Sequence, residues 1–338
     1  MNPETASSEE LVLGFLAEAG DEFVSGEAIS DKLGLTRAAV WKHVESLRSR
    51  GYRIDAVPAR GYRLGGVPDR LTPLELRPLL NTHDVGQVIH HFEVIGSTND
   101  RARELADEGA GHGEVVVAEA QTGGRGRRGR AWVSPPGCNA YFSAILRPDL
   151  PPGRAPELTL VASVAICDAL RHAGVPAGIK WPNDLLVEGR KIAGILTEMA
   201  AEPERLQWAV VGVGVNVNAA LADFPPELRE EATSVLLVRG EPAPRALFVA
   251  ACLTALEGWL DRHAEEGFEA IRKAWRERSV TLGCQVVVRT EEREFEGLAE
   301  DIDAGGALLV RTGTRRHRIV AGDVRLLRAR GQPSGGDR

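Results

Sequence analysis

The chain runs to 338 residues, 43% of them apolar, which is room for sizeable cores in about two or three domains. Its 41 Lys and Arg against 48 Asp and Glu give a formal net charge of −7, so any anion-binding feature is a local exception. With no run of about 18 apolar residues, no membrane span is expected, and the polar, acidic residues 1–10 argue against a signal peptide. Four scattered cysteines (Cys138, Cys167, Cys252, Cys284) without a CxxC pair read as free thiols of a reducing cytoplasm.

The first elements are helical. Leu11, Val12, Phe15, Leu16 and Ala19 recur at helical spacing behind Ser8 as a cap, and Gly20 ends the run. A second short helix follows Ser25, with Ala28, Ile29 and Leu33 inward. Gly34 and Leu35 turn the chain. Thr36 caps a third helix with Val40, Val44 and Leu47 on one face, stopped by Gly51. Helix, glycine turn, helix is the helix-turn-helix pattern, and short strands over 52–57 and 61–64 make a wing. Residues 1–31 hold eight acidic side chains and no Lys or Arg. Residues 32–63 hold eight Lys or Arg against Glu45 and Asp55, a local excess of six positive charges. The basic half coincides with the third helix and the wing. Arg37, Trp41, Lys42, Arg48 and Arg60 are therefore the candidate DNA contacts, with phosphates dominating affinity and bases setting specificity. The competing reading is a winged helix used for protein contacts, and Trp41 suits a buried position equally.

Residues 65–73, rich in Gly and Pro, form a linker. A short helix over 74–80 and a strand over 88–95 follow. The next helix runs through Ala102, Leu105 and Ala106, and Ser97, Thr98 and Asn99 head it. Those three either cap the helix or hydrogen-bond a small polar ligand. A strand over 114–120 delivers residues 121–130, which hold four arginines and four glycines. Strands over 139–146, 178–181, 191–198 and 208–217, with a helix over 156–173, lack a regular βαβ alternation. They predict an α+β domain with a mixed or largely antiparallel sheet. One helical stretch over 245–278 precedes short strands over 280–288, 294–299, 307–311 and 317–320, a small all-β barrel. Residues 329–338 read as a disordered tail. The domains divide as 1–66, 67–278 and 279–330.

The chemistry concentrates in the central domain. Glycines let backbone amides approach a ligand, and arginines give fixed, bidentate donors to carboxylate or phosphate. The arginine loop is no P-loop, since no Lys-Ser/Thr follows its glycines, and its spacing is wrong for a dinucleotide fingerprint. Further on, Lys180-Trp-Pro-Asn-Asp184 sets an amide and a carboxylate just after a strand. Arg190-Lys-Ile-Ala-Gly194 adds a second cation, Lys191, that is placed to neutralise a second anion.

These segments, with Gly96-Ser-Thr-Asn99 and Gly212-Val-Gly-Val-Asn216, resemble biotin protein ligases in order and interval. With the winged helix in front, the chain is similar to the bifunctional kind that also represses the biotin operon. The resemblance implies a catalytic domain like that of class II aminoacyl-tRNA synthetases and an SH3-like C-terminal barrel. It implies ATP, Mg²⁺ and biotin, with biotinyl-5′-AMP as intermediate and corepressor. Catalysis falls to Lys191, Arg127 and Asp184, with Asp184 also the metal candidate. Biotin falls to Ser97, Thr98, Asn99, Gln121, Arg125, Gly126, Arg127 and Lys191. The nucleotide falls to Arg125, Arg127, Arg128, Arg130, Trp132, Asn183 and Asn216, with Arg325 or Arg328 reaching in from the barrel. Implied partners are the biotin carboxyl carrier protein of acetyl-CoA carboxylase, operator DNA and a second copy in a homodimer. Two alternatives stay open: a ligase whose winged helix no longer represses, and a ligand-sensing DNA-binding regulator.

Overall fold

The computed structural model describes residues 7–327. The tail at 329–338 and Arg328 lie outside the described residues. The chain separates into two compact units, Met1–Arg70 and Leu71–Arg338.

In the first unit, α1 (Ser8–Glu18), α2 (Gly26–Leu33) and α3 (Arg37–Ser49) precede the hairpin of β1 (Arg53–Val57) and β2 (Gly61–Gly66). Ser7, not Ser8, caps α1. Its hydroxyl accepts from the Glu10 amide while the Glu10 carboxylate accepts from the Ser7 amide, a reciprocal capping box. Ser25 and Thr36 cap α2 and α3 as their sequence predicts, and Gly34 at φ +66° ends α2 in the left-handed region. Val12, Leu16, Ile29, Val40, Val44 and Leu47 fill the space between the helices. This is a winged helix-turn-helix.

The second unit opens on α4 (Pro73–Leu76), continued by a 3₁₀ turn at Arg77–Leu79. Its main sheet has seven strands in the order β3-β4-β5-β9-β8-β7-β6: β3 (Ile89–Ile95), β4 (Val115–Gln121), β5 (Ala140–Leu146), β6 (Gly178–Lys180), β7 (Asp184–Val187), β8 (Arg190–Ala201) and β9 (Leu206–Val215). Only β3 and β4 pair in parallel, so the sheet is mixed, as expected. Alternate residues of β4 feed two cores. Val115 and Val117 join the core under α6 (Ala155–His172). Val116 packs with Ala102, Leu105 and Ala106 of α5 (Thr98–Asp107). Burial on both faces explains why β4 reads as a continuous apolar run.

Two expectations change. A short strand, β7, pairs back on β6 through the turn at residues 181–183, where the sequence reads as a loop. Between Val235–Arg239 (α7) and the barrel, the helical stretch splits at Gly267 into α8 (Arg245–Glu266) and α9 (Phe268–Arg278). Gly267 has φ +76°, a conformation that side chains rarely adopt. The C-terminal strands β10 (Gln285–Arg289), β11 (Glu294–Ile302), β12 (Leu308–Thr312), β13 (Arg315–Ile319) and β14 (Asp323–Leu326) form a five-stranded antiparallel sheet consistent with an SH3-like domain. The indole Nε1 of the buried Trp181 donates to the Gly306 carbonyl at 3.0 Å, tying this sheet to the β6–β7 turn.

Candidate active site

The floor of the site is neutral and saturated with hydrogen bonds. Ser97, Thr98 and Asn99 are each 4% exposed where α5 begins. Ser97 caps that helix, so the bland reading of this residue also holds. The Thr98 amide and hydroxyl lie 2.8 and 3.1 Å from Gln121 Oε1. The fully buried Ser143 hydroxyl, on β5, sits 2.8 Å from Thr98 Oγ1 and 2.6 Å from Asn99 Oδ1. Asn99 Nδ2 donates to the Leu196 carbonyl and to Glu198. Gln121 Nε2 reaches Ser134 Oγ at 3.0 Å, so the floor is joined to the far end of the arginine loop.

Two glycines of β9 make this packing possible. A Cβ on Gly212 would fall onto the Asn99 amide, and one on Gly214 would lie 2.5 Å from Trp132 Nε1. The Gly-Val-Gly segment is therefore a bed for an asparagine and an indole. The Trp132 N–H is buried there without a hydrogen-bond partner among the described residues. Lys191 Nζ lies 5.4 Å over the Trp132 ring.

Above the floor, the arginine loop is tied to carboxylates and carbonyls on three sides. Arg125 meets Asp100 and lies 3.5 Å from Glu198. Arg127 Nη1 is 3.4 Å from Asn183 Oδ1 and 3.3 Å from the Gly322 carbonyl. Arg128 and Arg130 reach Asp323 of β14 at 3.5 and 2.6 Å. Gly126 donates its amide to the Arg130 carbonyl at 2.7 Å, which closes the loop on itself. Beside Arg127, Asp184 Oδ1 is 2.5 Å from Lys191 and its Oδ2 is 3.2 Å from Lys180. Burial pushes the Asp184 carboxyl up, but the two ammoniums outweigh it and hold the group below its ordinary value. Burial likewise lowers the Arg127 guanidinium, against the pull of Asp323 and Asp184.

Three of the expected site residues have these partners within the chain itself. Each oxygen of Asp184 faces a lysine, and no group of three or more His, Cys, Asp or Glu able to hold a metal occurs among the described residues. Arg125, expected at biotin and the nucleotide, meets Asp100 and Glu198. Asn216 is spent on structure: its Nδ2 donates to the Thr233 carbonyl at 3.0 Å, and its own amide donates to Ile192. Arg325 is exposed on β14.

In the first unit, Arg37, Trp41 and Lys42 share the exposed face of α3, with Trp41 55% exposed, so it is no core residue. Arg37 pairs with Glu27 at 3.0 Å, and Arg60 stacks over the Phe23 ring at 4.4 Å on the wing. Arg48 is corrected. Its Nε and Nη2 donate to the Ile54 carbonyl at 2.9 and 2.5 Å and its Nη1 to Glu45 at 2.7 Å, so it pins α3 to β1.

Three family models match in chain order: HTH domain over residues 9–63, Biotin/lipoate A/B protein ligase family over 91–216, and Biotin protein ligase C terminal domain over 281–327. The bifunctional ligase/repressor BirA of Bacillus subtilis is 41% identical over 93% of this chain and 97% of its own length. The chain belongs to the bifunctional biotin ligase/repressor family. The Escherichia coli BirA is 33% identical over 86% of this chain and 89% of that one. Among solved structures, the Aquifex aeolicus biotin protein ligase in complex with biotin and ATP superposes with a TM-score of 0.62 at 26% identity. It covers 72% of this chain and all of its own.

For a member of this family, several contacts of the loop were missing from the sequence reading. Asp100, Glu198 and Asp323 neutralise its arginines, and Ser143 and Ser134 complete the floor. Asp100 adjoins the Ser-Thr-Asn run and is the one with a local signal. Glu198 and Asp323 lie 73 and 193 residues from their arginines, beyond any spacing rule.

Proposed function

We propose that this chain activates biotin with ATP and passes the biotinyl group to a lysine of the biotin carboxyl carrier protein of acetyl-CoA carboxylase. A biotin carboxylate oxygen attacks the α-phosphorus, and the bond to pyrophosphate breaks, giving biotinyl-5′-AMP. The acceptor amine then attacks the acyl carbon, loses a proton and expels AMP, so the enzyme needs no covalent nucleophile. Both first-step reactants are anions, and Arg127 and Lys191 are the cations set to offset their repulsion. The neutral floor of Ser97, Thr98, Asn99 and Gln121 suits the ureido ring, whose N–H and C=O groups need neutral partners. Trp132 on its glycine bed suits the apolar body of the ligand. Arg128 and Arg130 are placed for the phosphates, which would compete with Asp323 for them.

The residues present do not build a magnesium cage, because Asp184 is already shared by two lysines. Magnesium would enter on the nucleotide's phosphates and would supply neutralisation of their charge there.

The second half of the proposal is repression. The adenylate acts as corepressor, the chain pairs as a homodimer through the central sheet, and α3 with the wing binds a two-fold operator. What carries the whole reading is one conjunction: Lys191 on Asp184 and Arg127 on the adjoining Asn183, in a chain similar to bifunctional relatives over 97% of their length. The test is to incubate the protein with biotin, MgATP and a carrier domain, following the carrier's mass and then operator binding with and without biotin. A carrier that gains no biotinyl mass sinks the ligase reading. Operator affinity indifferent to biotin sinks the repressor reading.

A further inference from the structure

Arg125 differs from the other arginines of its loop in what holds it. Its guanidinium meets Asp100 of α5 and approaches Glu198 of β8, and Arg103 bridges the same two carboxylates at 3.5 and 3.4 Å. Two negative groups thus face two positive ones. Glu198 also accepts from Asn99 Nδ2 at 2.9 Å, and Asn99 in turn holds Ser143. A continuous polar chain therefore runs from the buried floor through Asn99 and Glu198 to the loop.

We propose that Asp100 and Glu198 are positioning residues that hold the arginine loop closed through Arg125, and so slow the departure of the acyl-adenylate. The clause on the adenylate rests on the ligase reading; the latch itself does not. The side chains of Arg125, Asp100 and Glu198 are 38%, 48% and 25% exposed. Pairs so open to water are weak and exchangeable, as a loop that must open for each turnover requires. Because Glu198 also bonds the floor, its grip on the loop depends on where Asn99 sits.

The experiment uses the full chain with Glu198→Gln, Asp100→Asn and the double variant. Glu198→Gln keeps an acceptor oxygen for Asn99 while removing the charge, so the floor stays built. Trypsin, cutting after Arg125, Arg127, Arg128 and Arg130, reports opening, and fragment masses locate the cuts. In the ligand-free chain each single change is expected to speed cleavage in the loop by about two- to fivefold, the loss of one partly exposed pair, and the double variant by more. Salt should speed cleavage of the parent more than that of the double variant, in which the Arg128 and Arg130 pairs with Asp323 remain to be screened, a difference that a merely structural role would not produce. Dissociation of adenylate made from biotin and ATP should quicken by the same factor. Loop cleavage of the double variant at the parent's rate overturns the proposal, and so does faster cleavage with unchanged adenylate dissociation. A parent that makes no adenylate while its variants open as expected counts against the ligase reading and supports the latch.

Discussion

Two clusters, each pairing a carboxylate with cations, lie on the same seven-stranded sheet, one on β4 and one on β7 and β8, and are built for different ends. In one, Glu119 of β4 accepts from Arg245 at 2.8 Å and from the Leu71 amide at 2.7 Å, with His91 3.7 Å away. The Arg245 and Glu119 side chains are 1% and 8% exposed. In the other, Asp184 faces Lys191 and Lys180 beside Arg127, and Lys191 remains 36% exposed. The chemistry is the same, cation on carboxylate. The first pair is sealed and can serve only the fold. The second is open on one side, so an incoming anion can take over its cations. Burial, more than residue type, separates an ion pair sealed into the fold from one that a ligand can reach.

The sharpest way to break this contrast is Glu119→Gln. It takes the carboxylate charge away from the buried Arg245 guanidinium, which keeps the Asn139 carbonyl at 3.2 Å, and should cost about 1–3 kcal/mol in denaturant unfolding at pH 7. The pH dependence has a definite sign. His91, the Leu71 amide and Arg245 together outweigh desolvation and bring the Glu119 carboxyl from 4.5 to about 2. Its stabilisation is therefore complete above the unfolded value near 4.5 and is lost as pH falls towards 2. The stability gap between parent and variant should close over that window, and a gap constant with pH would refute the assignment.

Lys191→Ala should do the reverse. Asp184 keeps Lys180 at 3.2 Å, so unfolding free energy should change by about 1 kcal/mol or less, as for other partly exposed pairs. Adenylate formation should fall by about 100- to 1000-fold, the usual loss when a preorganised charge is removed from the reacting atoms. A Lys191→Ala protein that unfolds readily yet still forms adenylate well would invert the comparison.

Between these extremes stands Ser143→Ala. Its hydroxyl is fully buried, and its loss leaves Asn99 Oδ1 short of a donor, at about 1–3 kcal/mol of stability. Biotin binding should weaken as well, because Thr98 loses the same partner. A variant as stable as the parent, with unchanged biotin affinity, would show that the floor does not depend on this bond.

How much of this could be read from the chain follows the same division. The arginine loop, the capped helices and the valine-rich strands are written in local patterns of a few residues, and they appear where the sequence places them. Lys191 reads by itself as an ordinary surface lysine and becomes legible only in combination with the arginine loop. Its grip on Asp184 depends on β7, a four-residue strand with too few residues to show a period. Glu119 reads only as one polar residue inside a strand, and Arg245 only as the start of a helix. Their pairing spans 126 positions and exists through the sheet. Arg48 and Arg37 look alike in sequence, yet one is consumed by the Ile54 carbonyl and the other faces outward.

That last contrast yields the smallest and most discriminating test. Lys42 is exposed on α3 and Arg48 is bound to Glu45 and Ile54. If Lys42 meets a phosphate, Lys42→Ala should lower the slope of log affinity against log salt by about 0.9, the release of one counterion, with stability unchanged. Arg48→Ala should leave that slope alone. It should instead lower the unfolding free energy of the winged helix by roughly 1–3 kcal/mol, because the Ile54 carbonyl loses its donors and α3 loses its hold on β1. Equal salt slopes for the parent and Lys42→Ala would move the DNA contact off this face of α3. A changed slope in Arg48→Ala would mean that the guanidinium leaves Ile54 when DNA binds.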